Sequence, residues 1–208
     1  MRAIAFIFAR GGSKGLKNKN IKILNNLPLI AHTILVAKKT KLFSNIIVST
    51  DSGEIIKIAK KYGAEVIFKR PKKFSKDKSP KIPVIIHALK NAEKFYKIQY
   101  KYVVDLDPTA PSRKVEDILK SYNIFKKKKS NNLISLTKSR KNPYFNMIEL
   151  KNNKLKISKK LVNKYYTRQS SPIVYDMNAS IYIWNKKYLL NHGNLINNKT
   201  SFYEMPTY

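Results

Sequence analysis

Cysteine is absent from the 208 residues. That excludes a disulfide framework, a thiolate nucleophile and a cysteine zinc cluster, so any metal must rest on oxygen or histidine ligands. Long apolar runs are missing too. No stretch approaches the ~18 residues of a membrane helix. The opening "MRAIAFIFAR" is too short for a signal segment and leads into Gly11-Gly12 without a small-residue cleavage pattern. A cytoplasmic protein with no membrane partner is the expectation. Acidic residues are also scarce, 12 against 43 lysines and arginines, for a net charge of +31.

A charge of that size suits a nucleic-acid binder, whose cations displace counterions from phosphate backbone. Here, however, lysine greatly outnumbers arginine and is spread along the whole chain, and asparagine and isoleucine are abundant as well. This reads as compositional background, because sequence-specific recognition leans on arginine forks. No nucleic-acid partner is expected, and a basic RNA-binding domain is kept as the alternative from a non-enzyme class. The charge still steers anionic small molecules toward the protein. An apolar fraction of 43% with 11% aromatics argues for a folded globule, and the length suits one domain over 1–208.

Strand and helix signals alternate through the first two thirds. Ala3 to Phe8 is a nearly continuous apolar run, as in a strand buried on both faces. Pro28 opens a helical pattern, "NIIVSTD" is a second buried strand, and Ile55, Ile56, Ala59 and Tyr62 form one helical stripe ending at Gly63. A helix from Pro83, a strand in "YKYVVDLDPTAP", a helix in "KVEDILKSYNIFKKKK" and a strand in "NNLISLTKS" follow. The predicted class is α/β, a mostly parallel sheet covered by helices. After Asn142 the texture changes to short strand-like pieces, a hairpin around "KNN" and the strong strand "MNASIYIW". These predict a small antiparallel hairpin or arm, about 142–190, appended to the core.

Behind the first strand, "ARGGSKGLKNKN" gathers glycines, Arg10, Ser13, Lys14 and further lysines. A glycine-rich turn lets backbone N–H groups approach an oxyanion, and nearby cations supply countercharge. The loop is neither a P-loop nor a dinucleotide fingerprint, since it lacks both spacings. Asp51 sits at a strand end, where such sheets place their sites, or else caps the next helix. His32, His87 and His192 stand singly and read as packing residues.

The longer pattern A-R-G-G-S-K-G, followed by Lys19 and Asn20, resembles the signature of the acylneuraminate cytidylyltransferases. "RPKKFSKDKSP", "LDPTAPSR" and "YTRQSSPIVYDMNASIYIW" resemble further motifs of that family in the same order, so the resemblance covers essentially the whole chain. It implies a Rossmann-like nucleotide-transferase core. It also implies an enzyme that joins CMP from CTP to a nine-carbon α-keto acid sugar with release of pyrophosphate, with Mg²⁺ as cofactor and a homodimer as the assembly. By motif position, Arg10 and Lys14 would face the triphosphate as catalytic groups, within a nucleotide site of Arg10, Gly11, Gly12, Ser13, Lys14, Lys19, Asn20, Arg70 and Ser79. Asp107, Arg168, Asn178 and Tyr182 would lie on the sugar side, Arg168 gripping the carboxylate. The nearest enzyme alternative is an eight-carbon Kdo-type cytidylyltransferase.

Two departures from the family pattern stand out. Asp107 replaces the family's glutamine, with Asp105 two residues earlier on the same strand face. This points to a sugar other than N-acetylneuraminic acid, of the legionaminic type, and makes Asp107 or Asp105 a weak candidate for the metal. The family also continues past a segment like "FYEMPTY" into a D-I-D-x-x-x-D run whose aspartates hold the metal. That run is absent before Tyr208, so a truncated chain, or a metal held elsewhere, is the expectation.

Overall fold

The computed structural model describes residues 2–13, 15–77, 79–159, 167 and 169–207. Its centre is a six-stranded sheet. β1 (Ala3–Phe8) lies between β4 (Asn45–Ser49) and β5 (Tyr102–Leu106) and is parallel to both. β9 (Tyr175–Asn185) comes next to β5, then β6 (Asn132–Lys138) and β10 (Thr200–Glu204) at the edge. β6 and β10 are parallel to each other, and β9 runs antiparallel to both β5 and β6. Five strands therefore share one direction and β9 alone opposes them.

The apolar run of β1 is explained by cover on both sides. Ala3, Ala5 and Ile7 point to one core with α1 (Leu29–Lys39), α2 (Gly53–Lys61) and α4 (Val115–Lys127). Ile4 and Phe6 point to the other, packed on Ile85, Ala88 and Leu89 of α3 (Lys81–Tyr96) and Leu189 of α5 (Lys186–Asn191). Period-2 side chains on a doubly covered strand must be apolar on both faces. Gly63 ends the α2 segment at φ 84, the left-handed turn its position demands. Ser52, rather than Asp51, caps α2: its side chain accepts from the Ile55 N–H.

Small two-stranded pieces flank the sheet. β2 (Ile23–Leu24) and β3 (Leu27–Pro28) turn through Asn25 and Asn26, and β7 (Ile148–Lys151) and β8 (Lys154–Ile157) through Asn152 and Asn153. All four asparagines have positive φ, the requirement of the tight hairpin turn. The β7–β8 hairpin is the expected arm, exposed on both faces. The strand in "MNASIYIW" does not belong to that appendage. As β9 it fills the middle of the sheet, with Ile181, Ile183 and Trp184 buried. Residues 160–166 of the predicted arm lie outside the described residues. Among the described residues no helix is long and apolar enough to cross a membrane.

Candidate active site

The carboxyl ends of β1 and β5 open into a cavity of 460 Å³, lined by the loop after β1, the segment before α3 and the turn after β5. Parallel sheets bind ligands at this end because the strand-to-helix loops converge there. From the first loop come Arg10, Ser13, Lys19 and Asn20; Arg70 and Ser79 come from the second segment; Asp107 comes from the third. Seven of the residues singled out in the sequence are thus brought to one cavity from three separate stretches. Gly11 and Gly12 belong to the same loop. Lys14 and Arg168 lie outside the described residues.

The loop is held from behind. The Gly11 N–H donates to Asp51 Oδ1 at 2.9 Å, and the Asn20 amide donates to the Arg10 carbonyl at 3.1 Å. A Cβ on Gly11 would stand 2.9 Å from Ser52 Cβ, so the close approach of the loop to the start of α2 requires glycine. Arg10 forms an ion pair with Asp77. Buried Arg70 donates from Nε to Ser49 Oγ at 3.1 Å and from its second nitrogen to the Ser49 carbonyl. Burial, with Arg10 adding to it, pulls the guanidinium down to about 10 against the opposing fields of Asp51 and Asp105, so it stays charged at neutral pH.

The β5 side carries carboxylates. Asp107 Oδ1 accepts from the Thr109 N–H at 2.7 Å and from the Thr109 hydroxyl at 2.6 Å, which fixes the turn. Asp105, 1% exposed, lies beneath it and pairs in register with Phe6 and Tyr182. Burial pushes the Asp105 carboxyl up, and the Lys81 ammonium at 3.0 Å offsets only part of that. Burial opposes the charge on Lys81, but Asp105 and then Asp107 outweigh it and hold the ammonium above lysine's ordinary value. The Phe8 ring centroid lies 5.6 Å from the Arg70 guanidinium and 5.3 Å from the Lys81 ammonium.

The remaining sequence candidates lie behind the cavity. Tyr182 on β9 is half-buried opposite Asp105, and its hydroxyl is pushed up first by burial and then by Asp105. Asn178 sits in a bulge where the β6–β9 register shifts; its Oδ1 accepts from Ser135 Oγ at 2.7 Å and from the Ser180 N–H at 3.2 Å. Asp105 is committed to Lys81, and its burial suits poorly a Mg²⁺ ion that keeps several waters. Asp107 keeps a second oxygen without a hydrogen bond among the described residues. No group of three or more His, Asp or Glu that could hold a metal occurs among those residues.

Sequence reasoning missed Phe8, Asp77, Lys81 and Thr109 in the cavity wall, and Arg113 beneath it. Lys81 carried no signal among so many lysines, since its distinction is the buried partner Asp105 on β5. Arg113 is 2% exposed and donates to the Ser180 carbonyl at 2.6 Å, the Asp107 carbonyl at 3.2 Å and the Thr33 hydroxyl at 2.8 Å. It fastens the Asp107 turn to β9 and α1.

A cytidylyltransferase family model matches residues 4–206. The chain belongs to the cytidylyltransferase family. It is therefore a nucleotidyltransferase, in keeping with its loop, sheet and cavity. It is 47% identical over 199 residues to the post-translational flagellin modification protein B of Campylobacter coli, covering 96% of this chain and 84% of that protein. It is 46% identical, with the same coverage, to the CMP-N,N'-diacetyllegionaminic acid synthase of Campylobacter jejuni. Among solved structures, a CMP:2-keto-3-deoxy-manno-octonic acid synthetase complexed with CTP superposes with a TM-score of 0.71 at 13% identity, over 99% of this chain and 90% of that one. At that identity the likeness speaks for the fold alone.

Proposed function

We propose that this cytidylyltransferase joins CMP from CTP to a nine-carbon α-keto acid sugar of the sialic or legionaminic type. In the reaction the anomeric hydroxyl oxygen of the sugar bonds to the α-phosphorus of CTP. The bond from that phosphorus to the bridging oxygen breaks, pyrophosphate leaves with the electron pair, and the hydroxyl proton passes to solvent. Little covalent work falls to the protein, so its task is positioning and charge stabilisation. The observation that carries the reading is the convergence of Arg10, Lys19 and Arg70 on one cavity beside a glycine loop braced by Asp51.

Arg10, Lys14 and Lys19 then face the triphosphate, while Arg70, Asn20 and Ser79 orient the nucleoside. Asp107, Arg168, Asn178 and Tyr182 form or support the sugar side. Mg²⁺ suits such a site, since it binds through one or two carboxylates plus substrate phosphates. Asp107 is the described carboxylate that could hold it, and the ion would neutralise phosphoryl charge. The protein works in the cytoplasm as a homodimer built through the arm, whose Leu150 and Leu155 are each 69% exposed on a hairpin too small to be stable alone.

The test is pyrophosphate release with CTP and Mg²⁺ against a panel of legionaminic, N-acetylneuraminic and eight-carbon acids. Release is expected with the nine-carbon acids and with CTP in preference to ATP or GTP. No release with any acid, or release indifferent to the base, overturns the reading.

A further inference from the structure

Lys81 opens α3, where the helix dipole disfavours a cation. It is held there by Asp105, whose buried carboxylate accepts no hydrogen bond from any other described residue, so the 3.0 Å ion pair is its compensation. The Phe8 ring centroid lies 5.3 Å from the ammonium. The side chain is nonetheless 44% exposed and lines the cavity, so donors not directed at Asp105 remain for a ligand. A lysine pinned by a buried acid and an aromatic ring has lost most of its rotamer freedom before any ligand arrives, and that lowers the cost of binding.

Position assigns the ligand. Arg10, Lys19, Arg70 and Lys81 all line the cavity; Arg70 lies within electrostatic reach of Arg10 and Asp51, whereas Lys81 lies within reach of Asp105, Asp107 and Tyr182. The β5 wall carries two carboxylates, Asp105 and Asp107. The buried guanidinium of Arg113 lies behind them, committed to backbone and hydroxyl oxygens. An acidic acceptor approaching that wall meets like charge, and Lys81 is the cation in the wall itself that answers it. We infer that Lys81, positioned by Asp105, is a specificity residue that donates to the carboxylate of the acceptor sugar.

This inference rests on the proposed activity, and the experiment separates the two. Steady-state constants for CTP and for the preferred nine-carbon acid are measured on the full chain and on Lys81→Met, Lys81→Arg, Asp105→Asn and the double variant Lys81→Met with Asp105→Asn. The expected result for Lys81→Met is an acceptor KM raised about tenfold or more with a CTP KM moved less than about twofold. Lys81→Arg should recover part of the acceptor KM. Asp105→Asn should raise the acceptor KM by a smaller factor, because the cation remains but is no longer pinned. The double variant carries no unpaired buried charge and should match Lys81→Met, with the CTP-induced thermal shift retained as proof of an intact nucleotide half. A CTP KM that rises in step with the acceptor KM, or an acceptor KM left unchanged in both Met variants, overturns the inference while the activity of the unaltered chain leaves the parent reading standing. An unaltered chain inactive with every acid overturns both.

Discussion

Replacing Arg113 by methionine tests how the Asp107 turn is held. The guanidinium is buried and supplies four hydrogen bonds: to the carbonyls of Asp107 and Ser180, to Ser180 Oγ and to Thr33 Oγ1. Methionine fills much of the same volume and donates nothing. Of the oxygens left behind, the Asp107 carbonyl keeps the Thr33 hydroxyl at 3.3 Å and the Ser180 carbonyl keeps the Asp107 N–H at 3.2 Å, so buried Ser180 Oγ carries most of the loss. An orphaned buried polar group costs about 1–3 kcal/mol. Against that, the variant no longer buries a cation without a hydrogen-bonded carboxylate, which burial itself pulls down to about 10. A net loss of about 2 kcal/mol follows, or ~4–8 °C in Tm at ~2–4 °C per kcal/mol for a chain of this size. Differential scanning calorimetry measures it, and Arg113→Lys should fall between the two because one ammonium cannot span Ser180 and Thr33. A drop below about 2 °C for the methionine variant would refute the bracing role, because desolvation relief would then cancel the bonds.

Gly11→Ala should raise the CTP KM by about fivefold or more, because the new Cβ meets Ser52 Cβ at 2.9 Å and displaces the loop. Adding Ser52→Gly, which costs the α2 cap only a few tenths of a kcal/mol, should restore it, and failure of that rescue would exclude the steric account. His87 packs against Phe68 and Phe74, and burial, then Lys73 and Arg70, hold its pKa below the ordinary 6.5. The unfolded chain therefore binds the proton first as pH falls, so the stability His87 permits is present above 6.5 and lost as pH drops from there toward the depressed folded value. Urea midpoints between about pH 7.5 and 5.5 should fall less steeply in His87→Gln, and parallel slopes would count against it. Leu150→Glu with Leu155→Glu should convert the proposed dimer to monomer by light scattering without lowering the monomer's Tm, since neither side chain packs in the core.

Much of this fold is legible locally. The β1 run is apolar at every position because both faces are covered, and the asparagine pair at 152–153 announces its turn because asparagine tolerates positive φ. β10 was not legible. Its inward residues are Ser201 and Tyr203, while Phe202 is turned outward, so the strand itself shows no clean hydrophobic alternation. Tyr203 instead reaches inward to hydrogen-bond buried Asp117 at 2.8 Å.

By itself the sequence determined the α/β class, the glycine loop with its cations, and the family, since those depend on short-range pattern and ordered motifs. Only the tertiary structure decided that β9 runs against its neighbours through the middle of the sheet. Strand order and direction are set by which edges pair, and no local propensity encodes that. It also decided which few of the many cations matter. Lys81 and Arg113 carry no signal of their own in the sequence, and what distinguishes them is a partner brought from a distant strand, with burial besides for Arg113.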